Sequence, residues 1–113
     1  MNKTKMFAIV RYRAEGFHFW QDAPDSRKYL RERHRHMFHV EAKVEVAHEE
    51  REIEYHDLLD FCRATFNGGE QWGRSCESMA KDLAKKIATR WPGRDVVVSV
   101  FEDGEVGATV CLT

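Results

Sequence analysis

Residues 34–46 decide the fold, and they read His34-Arg35-His36-Met37-Phe38-His39-Val40-Glu41-Ala42-Lys43-Val44-Glu45-Val46. Alternate residues of a β-strand point to opposite faces of its sheet, and every second position from Phe38 onward is apolar. The segment therefore predicts a strand with one buried face. His34 and His36 begin that same face, so two imidazoles should project side by side from the strand end. Two imidazoles at this spacing suit a metal ion, and a third ligand from elsewhere would leave the open coordination position of catalytic zinc.

The remaining segments predict an α+β sandwich in the order ββααββ. The apolar patterns predict a first strand over residues 5–15 that ends near Gly16, a second over 34–48, helices over 56–66 and from a Ser75 cap to Trp91, and strands over 96–101 and 106–112. Asp25 or Ser26 is expected to cap a short helix in the connection before His34. We therefore expect a four-stranded antiparallel sheet with two helices on one face, in a single domain over residues 1–113.

The composition narrows the class of protein. A chain of 113 residues, 42% hydrophobic and 33% charged, suits one small globular domain without a membrane span or secretion signal. Three cysteines (Cys62, Cys76 and Cys111) are an odd number without metal-finger spacing, which favours free thiols and a cytoplasmic location. A net charge of −1 makes nucleic acid an improbable partner.

Basic residues crowd the approach to His34. They are Arg27, Lys28, Arg31, Arg33 and Arg35. They form either a solvated surface interleaved with acids, or an anion-binding rim in which Arg31, Arg33 or Arg35 meets a phosphate or carboxylate.

Four short motifs follow one another in the order found in a known enzyme family. Residues 34–42 resemble His-Gly-His-Asn-Tyr-x-Val-Glu-Val, residues 53–58 resemble Val-Asp-Phe-x-Asp-Leu, residues 75–80 resemble Thr-Ser-Glu-Asn-Leu-Ala, and residues 100–103 resemble Val-x-Glu-Thr. The chain thus resembles the 6-pyruvoyltetrahydropterin synthase and 6-carboxytetrahydropterin synthase family. The resemblance implies the T-fold, whose subunits join their sheets into an oligomeric barrel, commonly a hexamer of two trimers.

The resemblance also implies a site. It implies zinc held by His18, His34 and His36, since His18 lies near the place of the family's third ligand. It implies that Glu102 anchors the guanidine-like edge of a pterin or purine, because a carboxylate accepts two parallel hydrogen bonds. Ser75 and Cys76 would border the same pocket.

Two parts of the family pattern are missing. Residues 28–33 contain no counterpart of the family's catalytic cysteine, and residues 63–74 contain no counterpart of its Asp-His pair. A different group would have to carry protons, and the candidates are His56, Cys76 and Glu77.

Two functions follow. The first is a zinc-dependent, 6-pyruvoyltetrahydropterin synthase-like lyase that acts on a pterin- or purine-like molecule. The second is a catalytically inactive T-fold protein that senses or sequesters a pterin, purine or nucleotide-derived ligand. Simpler interpretations stay open for single residues: His18 as a packed aromatic neighbour, Glu102 as part of a polar turn, and Cys76 as a small buried side chain.

Overall fold

Two long strands form the centre of the sheet. The structure, a computed structural model, describes residues 2–113. Strands β1 (Met6–His18) and β2 (His34–Val46) pair antiparallel over their whole length, from Met6 opposite Val46 to His18 opposite His34. This register brings the end of β1 that carries His18 and the start of β2 that carries His34 and His36 to the same end of the sheet.

The other elements complete an α+β architecture. They are a 3-10 helix (Asp25–Arg31), α1 (Tyr55–Thr65), β3 (Gly69–Glu70), α2 (Cys76–Arg90), β4 (Val96–Glu102) and β5 (Val106–Leu112). The expected α-helices and long strands are confirmed, with bounds that differ from the expected ones by at most three residues. The exception in detail is the 3-10 helix: Pro24 stands at its N-cap position and no side chain caps it, whereas Asp25 pairs with Arg31.

The expected four-stranded antiparallel sheet is corrected to a five-stranded mixed sheet. The strand order is β3-β1-β2-β4-β5, and β3 runs parallel to β1 through Gly16 and Phe17. A strand of only two residues, one glycine and one glutamate, is too short to show an alternating pattern of apolar and polar side chains. Hydrophobic periodicity therefore could not predict it. Within one chain this sheet is open and does not close into a barrel.

The core lies between one face of the sheet and the two α-helices. Alternate residues of β1, β2 and β4 are buried, namely Ala8, Val10, Tyr12, Ala14, Phe38, Val40, Ala42, Val44, Val96, Val98 and Val100. The helices bury Leu58 and Cys62 from α1 and Met79, Leu83 and Ile87 from α2 against them. The hydroxyl of Tyr12 donates to the carbonyl oxygen of Phe66 at 2.8 Å, which ties the end of α1 to β1.

The N-terminus of each α-helix is capped by a side chain, and the expected Ser75 cap of α2 is confirmed. The Ser75 hydroxyl accepts a hydrogen bond from the Ser78 amide, and the Glu54 carboxylate accepts one from the Asp57 amide. Because β4 ends at Glu102 opposite Phe38 of β2, the end of β4 also lies beside the histidines. None of the helices formed by residues 2–113 is long and apolar enough to cross a membrane.

Candidate metal centre and its cavity

Three histidines meet at the end of the central strand pair. His18 faces His34 directly across β1 and β2, and His36 lies opposite Gly16. Their ring centroids are 4.6 to 5.1 Å apart, and one nitrogen from each ring lies within 4.8 Å of the others. The expected grouping of His18, His34 and His36 is therefore present.

Each of these rings is oriented by an acceptor at Nδ1. The Nδ1 of His18 lies 2.9 Å from the Arg74 carbonyl oxygen, and that of His34 lies 2.8 Å from the Glu32 carbonyl oxygen. The Nδ1 of His36 lies 2.7 Å from Oδ2 of Asp103. A carbonyl oxygen only accepts, so Nδ1 carries the proton in His18 and His34 and the Nε2 of each neutral ring keeps its lone pair. This is how metal-binding histidines are fixed by their outer neighbours.

The loop that holds His18 is itself tied to β1. The amide of Phe19 donates to the Trp72 carbonyl oxygen at 2.9 Å, and the amide of Gln71 donates to the Phe17 carbonyl oxygen at 2.8 Å. These bonds continue the pairing of β3 beyond its two residues and bring the Arg74 carbonyl to His18. The unexpected strand thus has a role in building the site.

Two of the three Nε2 atoms make no hydrogen bond within the described residues. Those of His18 and His36 are buried without a hydrogen bond to any described residue. Leaving a buried polar atom unpaired costs about 1–3 kcal/mol, so the arrangement suits an external partner. Burial also lowers the pKa of His18, against the opposing effects of the Arg74 carbonyl and Glu102, and so favours the neutral, ligating form.

The donor set fits a divalent metal ion. Three neutral imidazoles are typical ligands of zinc. Around a tetrahedral zinc ion, ligand nitrogens are about 3.4 Å apart, and the three nitrogens here lie within 4.8 Å of one another. The cluster of His18, His34 and His36 is therefore one that could hold a metal ion, and the three histidines do not select zinc among the divalent metals.

Glu102 reaches the same point from β4. Its Oε2 lies 3.1 Å from Nε2 of His18, and its Oε1 lies 3.7 Å from Nε2 of His36. The thiol of Cys76 is 3.9 Å from Oε2 of the same carboxylate. Glu102 is thus adjacent to the histidines rather than remote in the cavity.

A cavity of about 380 Å³ opens beside this cluster. Its lining comprises His18, Phe19, Trp20, Leu30, His34, Gly73, Arg74, Ser75, Cys76, Glu77, Glu102, Val106 and Gly107. Apolar and aromatic walls with a few polar groups at one end are typical of small-molecule sites.

Besides His18 and His34, four of the expected site residues line this cavity. They are Ser75, Cys76, Glu77 and Glu102. The Ser75 hydroxyl is engaged as the cap of α2. Burial, with the nearby carboxylates of Glu102 and Glu77, raises the pKa of Cys76 to about 12, so its thiol stays protonated at neutral pH.

The other expected residues lie elsewhere. His56 is exposed at the start of α1, with Nδ1 3.0 Å from Glu54. Arg31 pairs with Asp25, Arg33 with Glu70 and Arg35 with Glu15. Among the described residues that line the cavity, none of these four appears.

The sequence did not reveal the groups that orient the rings. Asp103 falls between the two last strands expected from the sequence, yet one of its carboxylate oxygens contacts Nδ1 of His36 and the other accepts from the Met37 amide at 2.9 Å. Only the register of β4 on β2 brings Asp103 close to His36. Glu102 pairs with Phe38, and Asp103 is the next residue after Glu102. The carbonyls of Glu32 and Arg74 carry no sequence signal at all.

Comparison with known proteins does not assign a function to this site. The sequence matches no family model, and no curated protein is significantly similar to it.

Proposed function

We propose that this protein binds a divalent metal ion, zinc being the first choice, and acts on a pterin- or purine-like small molecule in the manner of a 6-pyruvoyl- or 6-carboxytetrahydropterin synthase. One observation carries the proposal. Three imidazoles, each with an acceptor at Nδ1, bring one nitrogen each within 4.8 Å of the others beside a cavity. A bound divalent metal supplies a Lewis acid that polarises substrate oxygens and lowers the pKa of bound water.

The cavity suits a flat heterocycle. Phe19 and Trp20 supply aromatic surface, and a volume of about 380 Å³ lies within the range of small-ligand sites. The carboxylate of Glu102 supplies two acceptor oxygens for a ring N–H and an exocyclic amine. This is the role that the resemblance assigns to it.

Few side chains in the cavity could carry a proton to or from a bound molecule. Of the three candidates, Cys76 and Glu77 line the cavity and His56 does not. The Cys76 thiol, protonated because burial raises its pKa to about 12, is suited to donate a proton rather than to accept one. Glu77 is exposed at the first turn of α2 and is the remaining base.

The small number of proton-carrying side chains in the cavity favours a second candidate, a protein that binds a ligand without converting it. A cavity with a metal centre and a carboxylate, but with a protonated thiol and with Arg31, Arg33 and Arg35 engaged by acids, is suited to hold a ligand. Turnover of 7,8-dihydroneopterin triphosphate separates the two: product formation supports the enzyme, whereas binding without product supports the alternative.

Calorimetry tests the ligand class. Zinc-loaded protein is titrated with neopterin, biopterin and guanine, and we expect at least one to bind. Glu102→Gln should weaken that ligand at least tenfold, because losing one half of a bidentate contact leaves a ring donor unpaired at a cost of about 1–3 kcal/mol. Glu105→Gln, in the exposed turn that follows, is the matched control and should bind as the wild type does. Failure of all three heterocycles to bind would contradict the proposed ligand class.

A further inference from the structure

We infer that Glu102 is itself a metal ligand, so that the metal-loaded protein without a small molecule has a closed, four-coordinate site made by His18, His34, His36 and Glu102. The inference rests on the metal centre of the proposed function and assigns Glu102 a role that the heterocycle anchor does not include.

Distances give the first argument. Around a tetrahedral zinc ion with bonds of about 2.0–2.2 Å, two ligand atoms lie about 3.3–3.6 Å apart. The Glu102 oxygens lie 3.1 Å from Nε2 of His18 and 3.7 Å from Nε2 of His36, which is on either side of that range. The two distances involve different oxygens, Oε2 and Oε1, and they place the carboxylate within reach of an ion held between the two histidines.

The kind of contact gives the second argument. Although Oε2 of Glu102 is 3.1 Å from Nε2 of His18, the two atoms are not aligned for a hydrogen bond, and Nε2 makes none to another group. The Nδ1 atom of His18 already donates its proton to the Arg74 carbonyl oxygen, so in the neutral ring Nε2 has a lone pair directed towards this region. Two lone pairs at such a distance repel unless a cation lies between them.

The surroundings of Glu102 give the third argument. Its side chain is only 26% exposed, and none of the lysines and arginines in the described part of the chain pairs with it. Glu15, Glu41, Glu52 and Glu70 each have an arginine partner. A half-buried carboxylate without a cation is costly, and a divalent ion among the histidines would supply the missing charge.

A closed site has a chemical consequence. Structural zinc sites use four protein ligands, whereas catalytic sites keep one position for water or substrate. If Glu102 held the ion together with the three histidines, no position would be free, and an external ligand would have to compete with the carboxylate. Glu102 would then be free to meet the heterocycle, so occupancy of the cavity and opening of the metal site would be coupled.

Cobalt(II) substitution tests this directly, because its visible absorption reports coordination and its affinity can be measured. Azide serves as an external ligand. In the wild-type protein, azide should change the cobalt spectrum only at concentrations at least tenfold higher than in Glu102→Ala, because it must compete with the carboxylate. In Glu102→Ala, azide should shift the spectrum, and cobalt affinity should fall at least tenfold. Glu105→Ala is the control and should match the wild type in both. Glu102→Gln, which keeps the side-chain volume, replaces the alanine variant if that variant does not fold.

The outcomes separate the two proposals. Equal cobalt affinity and an equal azide response in wild type and Glu102 variants would overturn the role of Glu102 while leaving the three-histidine centre in place. A wild-type protein that binds no cobalt or zinc would overturn the metal centre of the proposed function, and this inference with it.

Discussion

At the scale of single residues, the site depends on which atom of each ring is already engaged. His18 and His34 use Nδ1 on backbone carbonyls, whereas His36 uses it on the side chain of Asp103. The His36 contact is therefore the only one of the three, within the described residues, that a substitution at the acceptor can remove without changing the backbone. The Met37 amide and then His36 lower the pKa of Asp103, so the carboxylate is charged at neutral pH.

Asp103→Asn should weaken zinc binding about 10- to 100-fold, the usual effect of removing an outer carboxylate that orients a ligating histidine. Asparagine keeps the shape and tolerates the positive φ of 55° at this position, so the fold should be retained. Competition with a chromogenic chelator measures the affinity, and Glu105→Gln serves as the control. Unchanged zinc affinity in Asp103→Asn would show that this contact does not support the centre.

Thiol reactivity tests the description of Cys76. Burial raises the pKa of both Cys62 and Cys76 to about 12, whereas Cys111 is exposed. Only a thiolate reacts rapidly, so the native metal-free protein should show slow modification of Cys62 and Cys76 by a disulfide reagent, and both should react once urea unfolds the chain. Rapid native modification that persists in Cys111→Ser and disappears in the double variant Cys76→Ser/Cys111→Ser would contradict this account.

At the scale of elements, the sequence was most informative where a pattern repeats. The alternation in β2 and the four-residue spacing of Met79, Leu83 and Ile87 identified a strand and a helix because each buries one face. β1 was expected to end near Gly16, yet it continues to His18. A Cβ at Gly16 would lie 2.8 Å from the Phe38 ring, so this glycine allows close packing within the strand rather than ending it. Local patterns cannot show such a contact between distant residues.

The segment around β3 gives a prediction at this scale. Gly68 and Gly69 both have positive φ, at 75° and 76°, which costs a non-glycine residue about 1–2 kcal/mol. A Cβ at Gly68 would also lie 2.0 Å from the Glu15 carbonyl oxygen, whereas one at Gly69 would meet nothing within 4 Å. Gly68→Ala should therefore lower the free energy of unfolding by about 3 kcal/mol or more, and Gly69→Ala by about 1–2 kcal/mol.

Urea unfolding measures this difference, with Gly69→Ala as the matched control for the φ cost. Because β3 leads into the loop that brings the Arg74 carbonyl to His18, Gly68→Ala should also lose metal affinity more than Gly69→Ala does. Equal unfolding midpoints for the two variants would contradict the close approach of β3 to β1.

At the scale of the whole molecule, the sheet has two open edges. β5 pairs only with β4, and β3 covers β1 only at Gly16 and Phe17, among the residues that the structure describes. Long unpaired edges favour association with further strands. The resemblance led us to expect a closed trimer or hexamer, and this expectation stays a prediction.

Sedimentation equilibrium at micromolar concentration tests the assembly. We expect a trimer or hexamer, because pairing of edges between subunits would satisfy the free backbone groups of β1 and β5. A stable monomer over the same concentrations would contradict it, and would mean that the open edges are tolerated in isolation.

The central claim is the metal centre, and its most direct test is metal analysis of protein purified without a histidine tag. We expect close to one zinc ion, or another divalent ion, per chain. His34→Ala and His36→Ala should each lose most of it, whereas His48→Ala, at an exposed position after β2, should retain it. Full retention of metal in both His34→Ala and His36→Ala, or no metal in wild-type protein exposed to zinc, would contradict the account.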